Sequence, residues 1–384
     1  MLQSFVVYGM FAFAMLGLGL VSAKRERISQ VRQASPRFWT WDIVFALLVF
    51  AFVSGIRYNV GVDYLEYLKN YLTAQNSGYL VLDKELGFDA LTNLFADLGF
   101  HFAFYFGFLA FIQIFFIYRA FKDQRYLYPF LAIIIILGPH YLSWMNGIRQ
   151  MIVAAIFVWS VQFIINRDWK AYFFSIVLAS LIHKSAVLLL PFYFLPQKNI
   201  FGNRYLTLSL VVASLYLGGT SLWVDLVGSP NSLLQFIGYE GYSENLGRLI
   251  DETQDRNIGP RKVSIIITVG ITIWLFPRLK KYFGSSGFVF MFNLAVAGLI
   301  LSNLLHNAHH IFLRPITYLT IFYAPVTAYT LVFLKRRSKY YFPLFLLLLA
   351  CSLSYLPMSI IADSEKGVSD YTNYRFFWYH EHDE

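Results

Sequence analysis

Long apolar runs separated by short polar interruptions organise this chain. They lie near residues 3–23, 39–56, 102–118, 127–145, 148–165, 171–196, 205–224, 263–277, 287–305, 311–334 and 341–361. Most are long enough to bridge a hydrocarbon core about 30 Å thick at a helical rise of ~1.5 Å per residue. The run from Ala171 to Pro196 is broken in the middle by His183-Lys184, with apolar-rich sequence on either side. Each half reaches roughly 18 Å as a helix. The polar pair therefore sits either at mid-membrane in one long helix or at the tip of a re-entrant hairpin. An ionisable residue at such a depth costs about 2.5–3.5 kcal/mol and is a candidate functional group. The pattern predicts an all-α, polytopic membrane bundle of about eleven segments, one of them broken or re-entrant, forming a single domain over 1–384.

Charge sets the expected topology. Basic residues cluster in the short loops Lys24–Arg37, Arg119–Arg125, Arg167–Lys170, Arg278–Lys281 and Lys335–Lys339, which the positive-inside rule assigns to the cytoplasm. The opposite side then receives 57–100, 146–147, 225–262, 306–310 and an acidic tail over 362–384, with 57–100 and 225–262 as its larger loops. The first run carries its basic cluster after it, not before, so it reads as a retained helix and not as a signal peptide. A single crossing by 171–196 would break the alternation at the loop holding Lys198 and Arg204; a hairpin restores it.

Composition narrows the class further. The chain is 58% hydrophobic and 14% charged, against about 25% charged for a soluble domain. The net charge of +9 resides in those loops and does not indicate nucleic acid. Cys351 is the one cysteine, which excludes internal disulfides and a thiolate metal site. Aromatic residues are abundant (Phe 39, Tyr 27, Trp 8); they suit interfacial belts and packing, and also stacking on sugar rings in outside loops.

Several polar groups stand where helices meet the predicted outer face. Arg57, Gly61 and Asp63 follow the second run. Arg57 could grip a phosphate through its planar fork, and Asp63 could serve as a general base; the two also suit a simple interfacial ion pair. Leu86, Phe88, Leu91, Leu94, Phe95 and Leu98 recur at mostly helical spacing, as in a helix lying at the interface, with Glu85 at its start favoured by the dipole. Asn146, Arg149 and Gln150 open the fifth run. A helix N-terminus there reinforces the preference for an anion such as a lipid-linked phosphate, although an arginine snorkelling to headgroups fits as well. Arg314 precedes Pro315 inside an apolar run and is a further anion ligand or an interfacial arginine. His306, His309 and His310 have no carboxylate close by in sequence, so no metal site is expected. P-loop, GxGxxG, HExxH and DxD motifs are absent, so any substrate must come from the membrane.

Taken in order, Arg57-x-x-x-Gly61-x-Asp63-x-x-x-Tyr67, Glu85-x-Gly87-Phe88, Asn146-x-x-Arg149-Gln150 and His183-x-Ser185 resemble the EpsG family, a branch of the Wzy-type polysaccharide polymerases. The resemblance is densest over 55–196. Val62 departs from it, standing where the family often carries Ser or Thr. The resemblance implies a GT-C-like architecture in the bacterial cytoplasmic membrane. It also implies an active site facing outside, which joins oligosaccharide units carried on polyprenyl pyrophosphate into exopolysaccharide, capsule or O-antigen, without a cofactor.

On this basis the acceptor hydroxyl attacks the anomeric carbon with inversion. Arg57, Arg149 and Arg314 hold the departing pyrophosphate, with Asn146, Gln150, Glu85 and His310 as further substrate contacts. Asp63 is the first choice of base and His183 the second. The expected partners are the lipid-linked oligosaccharide and the bilayer, with a chain-length regulator as a candidate further partner and no nucleic acid. A flippase of lipid-linked oligosaccharide and, more remotely, a multispan O-acyltransferase are the alternative readings.

Overall fold

The computed structural model describes residues 1–32, 37–77, 85–220, 258–284, 286–308, 310–337, 339–366 and 372–379. The expected outside loop 225–262 therefore lies outside the described residues up to 257, as do residues 367–371 and 380–384 of the acidic tail and the side chain of His310. The described chain is almost wholly helical.

Among the described residues, six helices are long and apolar enough to cross a membrane: Leu2–Val31, Phe102–Ala120, Ile148–Ile165, Pro260–Phe283, Gly287–Leu304 and Thr317–Lys335. Two bent pairs would raise the number to eight: Arg125–Leu137 with His140–Asn146 at 62°, and Lys339–Leu353 with Tyr355–Ser364 at 42°. The difference from the eleven expected segments has local causes. Pro139 supplies no N–H, and Gly138 adopts an extended ψ of −162° that ends the preceding helix. Pro357 sits just after the second bend and leaves another carbonyl without its helical donor. Trp41–Gly55 and Arg204–Gly218 are apolar but only 15 residues each, roughly 22 Å of helix.

We label the helices that position the site α1 (Leu2–Val31), α2 (Trp41–Gly55), α3 (Tyr64–Ser77), α4 (Leu86–Asp97), α5 (Phe102–Ala120), α6 (Tyr128–Leu137), α7 (His140–Asn146), α8 (Ile148–Ile165) and α9 (Trp169–Ile182). α1 packs on α2 and α6, α2 on α5, and α5 and α9 on α8. α8 is central, and Val153, Ala154, Ala155 and Phe157 on successive faces are fully buried. Small residues allow the close approach that packing without a hydrophobic driving force requires. Outward-facing Met10, Phe13, Phe52, Phe174 and Val212 are more than half exposed. An apolar surface of this extent suits lipid and not water.

The basic loops meet at one end of the bundle. Buried Asp42 pairs with Arg25 at 2.9 Å. The Glu26 carboxylate accepts from the Tyr126 amide at 2.9 Å, and Arg125 donates to the Arg37 carbonyl at 2.6 Å. At the opposite ends of α2, α5, α8 and α9 lie residues 57–70, 105, 149 and 183.

At that second end the broken run does turn back. His183 is extended (φ −155°, ψ 120°), and Lys184–Phe194 returns as a 3-10 helix along α9. Tyr172 donates to the Leu189 carbonyl at 2.6 Å. Arg167 and Tyr193 exchange hydrogen bonds at 3.3 and 3.0 Å, so both legs begin and end at one level. His183 is the hairpin tip.

Candidate functional site

Two short amphipathic helices build one wall of a cavity of about 270 Å³. Asp63, Glu66, Tyr67 and Asn70 from the start of α3 line it at i, i+3, i+4 and i+7, a single helix face. Phe88, Asp89 and Thr92 of α4 line it with the same periodicity, counted from Glu85. Tyr105, Arg149 and Arg314 complete the lining. The outer leucines of α4, Leu86, Leu94 and Leu98, remain more than half exposed, as the interfacial pattern requires.

Two glycines bring these pieces together. Gly61 has φ +100°, and a Cβ there would stand 2.7 Å from the Met145 carbonyl oxygen. This left-handed, tightly apposed turn delivers the Asp63 amide to the Asn146 side-chain oxygen at 3.0 Å. Gly87 lets α4 press on the end of α9, where a Cβ would lie 2.8 Å from that of Leu181. Glu85 thereby reaches the hairpin tip.

Glu85 is the hub of the first charge cluster. Its Oε2 lies 2.9 Å from an Arg149 guanidinium nitrogen, and its Oε1 accepts from the Lys184 amide at 3.1 Å and meets His183 Nδ1. Arg149 also donates to the Tyr67 hydroxyl at 3.4 Å and lies over the Tyr67 and Phe88 rings. Burial alone would raise the Glu85 carboxyl pKa. The His183 hydrogen bond and charge, with Arg149 and the Lys184 amide, outweigh burial and hold it below its usual value.

The second cluster pairs Arg314 with Asp63 at 3.7 Å, a looser contact in which both groups are a quarter to a third exposed. Arg314 sits in the bend between helices His310–Leu313 and Thr317–Thr320. Its carbonyl accepts from Gln150 and from Thr317. The Ser185 hydroxyl joins that of Tyr318 at 2.6 Å, tying the hairpin to the same bend.

The structure thus gathers Asp63, Glu85, Arg149, His183 and Arg314, and gives other candidates different surroundings. Arg57 does not line the cavity. It is 1% exposed, stacked over Tyr64 and Phe106, and donates to the Ser54 and Val60 carbonyls. It staples the turn and is not placed to touch a ligand in the cavity. Asn146 and Gln150 hold the Asp63 amide and the Arg314 carbonyl, so they position neighbours. His183 lies behind Glu85 and outside the cavity lining.

Tyr105, Thr92, Asn70, Glu66 and Tyr318 escaped the sequence reading. For Thr92, Asn70 and Glu66 the signal was present. Polar residues repeating at i, i+3, i+4 and i+7 on two neighbouring helices mark a shared polar face.

Glu85→Gln keeps the shape of the hub but removes its charge. We expect it to lower stability at pH 7 by about 1.5–3 kcal/mol, the range for hydrogen bonds to a charged group. Because the folded carboxyl titrates below the ordinary 4.5, its contribution is fully present above that pH and is lost as pH falls through the depressed value. Thermal unfolding of wild type and variant should therefore converge in acid. A gap that persisted or widened toward pH 3 would contradict the ion-pair account.

Among the described residues, no group of three or more His, Cys, Asp or Glu side chains is arranged to hold a metal ion. Neither a curated protein nor a solved structure matches the chain. The EpsG family model matches residues 40–376, a stretch that contains the cavity, both charge clusters and the hairpin. With most of its length matched in one piece, this multi-pass helical chain belongs to the EpsG family.

Proposed function

We propose that the protein is a polysaccharide polymerase that transfers a glycan from polyprenyl pyrophosphate to a hydroxyl of a second lipid-linked repeat unit, with inversion. The reading includes an outward-facing site in a bacterial cytoplasmic membrane and a GT-C-like bundle of about eleven membrane segments. The observation that carries it is the convergence of Arg149, Arg314 and Asp63 on one cavity, at the end of the bundle opposite the basic loops.

In this reading Asp63 takes the proton of the acceptor hydroxyl. The oxygen then bonds to the anomeric carbon as the carbon–oxygen bond to pyrophosphate breaks, and the electron pair leaves with the polyprenyl pyrophosphate. Arg149 and Arg314 face the charge that develops there. Three carboxylates (Asp63, Glu66, Asp89) and two arginines line the cavity, so it is no general anion trap. Binding rests on two guanidinium forks and on the membrane anchorage of the lipid tail. The 3.7 Å Asp63–Arg314 contact gives the binding step a further role. A pyrophosphate that draws Arg314 to itself leaves Asp63 able to accept a proton.

Reconstitution of the purified protein with a synthetic lipid-pyrophosphate repeat unit tests the reading. A ladder of products is expected. Movement of the lipid between leaflets with no new glycosidic bond would identify a flippase instead.

A further inference from the structure

A second polar cavity lies behind the first. Its volume is about 140 Å³, and its walls include His140, Met151, Lys262, Ser302, Thr317 and Tyr323. Arg149 and Met151 are two residues apart on α8 and so point to opposite faces of that helix, one to each cavity. Thr317 lines the second cavity while donating to the carbonyl of Arg314, which lines the first. The two spaces share a wall.

The second cavity differs in its charge. Lys262 is half-buried, and its Nζ donates to the carbonyl and hydroxyl of Ser302 at 3.1 and 2.8 Å, both neutral oxygens. Among the described residues it forms no ion pair, whereas Arg149 and Arg314 each face a carboxylate. An ammonium withdrawn from water without an opposite charge favours an anion. Two more groups wait for a partner. His140 Nε2 and the Tyr323 hydroxyl are buried without a hydrogen bond, on residues 6% and 7% exposed, and both residues line this space. The helix Pro260–Phe283 begins two residues before Lys262 on Gly259, which supplies no side-chain cap, so its amide dipoles add to the positive potential.

We propose that this cavity is a second phosphate subsite, in which Lys262 holds the lipid phosphate of one glycan carrier while Arg149 and Arg314 hold the other. The inference rests on the polymerase reading, which requires two lipid-linked substrates at once. It gives each its own cationic group on either side of α8. The same chemistry would also accept the phosphate of an anionic phospholipid.

Titration of the full chain in phosphatidylcholine nanodiscs with a polyprenyl pyrophosphate bearing one sugar tests it. Wild type should bind two equivalents. Lys262→Gln should weaken one of them by about tenfold or more, the loss of one charge-assisted hydrogen bond, and Lys262→Arg should keep both. Unchanged binding in a folded Lys262→Gln protein, or equal losses in the Gln and Arg variants, would overturn the assignment. Adding phosphatidylglycerol to the discs distinguishes the source. Competition for the Lys262-dependent equivalent identifies a phospholipid headgroup, and indifference identifies the glycan carrier. Two bound equivalents without product formation would count against the polymerase reading alone. Product formation with Lys262→Gln binding like wild type would count against this subsite alone.

Discussion

Arg149→Ala is expected to abolish chain extension in purified protein. The guanidinium is the one cation that reaches the cavity from α8, held between Glu85, Tyr67 and the Phe88 ring. In the proposed reaction it meets the pyrophosphate as negative charge builds there, where a fixed donor has its largest effect, typically 10²–10³-fold for a single group. Removing it also takes the cationic partner from Glu85 Oε2, on a side chain 8% exposed, so part of any loss would come from that buried oxygen left without a partner. The double variant Glu85→Gln/Arg149→Ala separates the causes. It should recover stability and remain inactive. Recovery of activity in the double variant would show that Arg149 serves only to neutralise Glu85. Arg337→Ala, at an exposed position in a basic loop at the other end, is the control and should be nearly silent.

Asp63→Asn is expected to lower turnover by about 10²-fold or more, the usual contribution of a general base, with donor binding largely kept. Asparagine preserves the side-chain shape, and the bond from the residue-63 amide to Asn146 does not involve the altered group. His183→Gln should cost less. Its ring faces Glu85 and not the cavity, so the change acts through the position of Arg149. Both variants, measured with one lipid-linked substrate, decide between the two bases. A silent Asp63→Asn beside a folded but inactive His183→Gln would transfer the role to His183.

The local features of this site were legible in the sequence, and the pairings were not. A polar pair splitting an apolar run announced the break, and the basic loop holding Lys198 and Arg204 favoured a hairpin over a single crossing. The Gly61 turn was visible as a glycine between an arginine and an aspartate. The surroundings of Arg57 were not legible, because nothing near it in sequence reveals Phe106, the ring from α5 that closes over its guanidinium. Beside Gly61 and Asp63, a stapling arginine and a ligand-binding one look alike. Glu85–Arg149 and Asp63–Arg314 join residues from distant helices, and no periodicity encodes such a match. The bends escaped for a different reason. Hydropathy measures the length of an apolar run and is blind to a bend at Gly138-Pro139 or Ser354.

The turn that carries Asp63 is braced by the far end of the chain. Arg57 and Tyr58 pair antiparallel with Phe376 and Arg375, and the Tyr374 hydroxyl donates to the Val53 carbonyl 321 residues earlier. Ser4 of α1 bonds to Asn373 in the same corner. Ribosomal synthesis delivers Tyr374 321 residues after Val53. The proposed catalytic turn therefore cannot acquire its final brace until the last helices have been inserted and the segment after them has crossed to the side of the cavity. A nascent or truncated chain could hold most of its helices in place while its acid–base group remained unanchored. In the proposed function, glycosyl transfer would wait for the segment that holds residues 373–376.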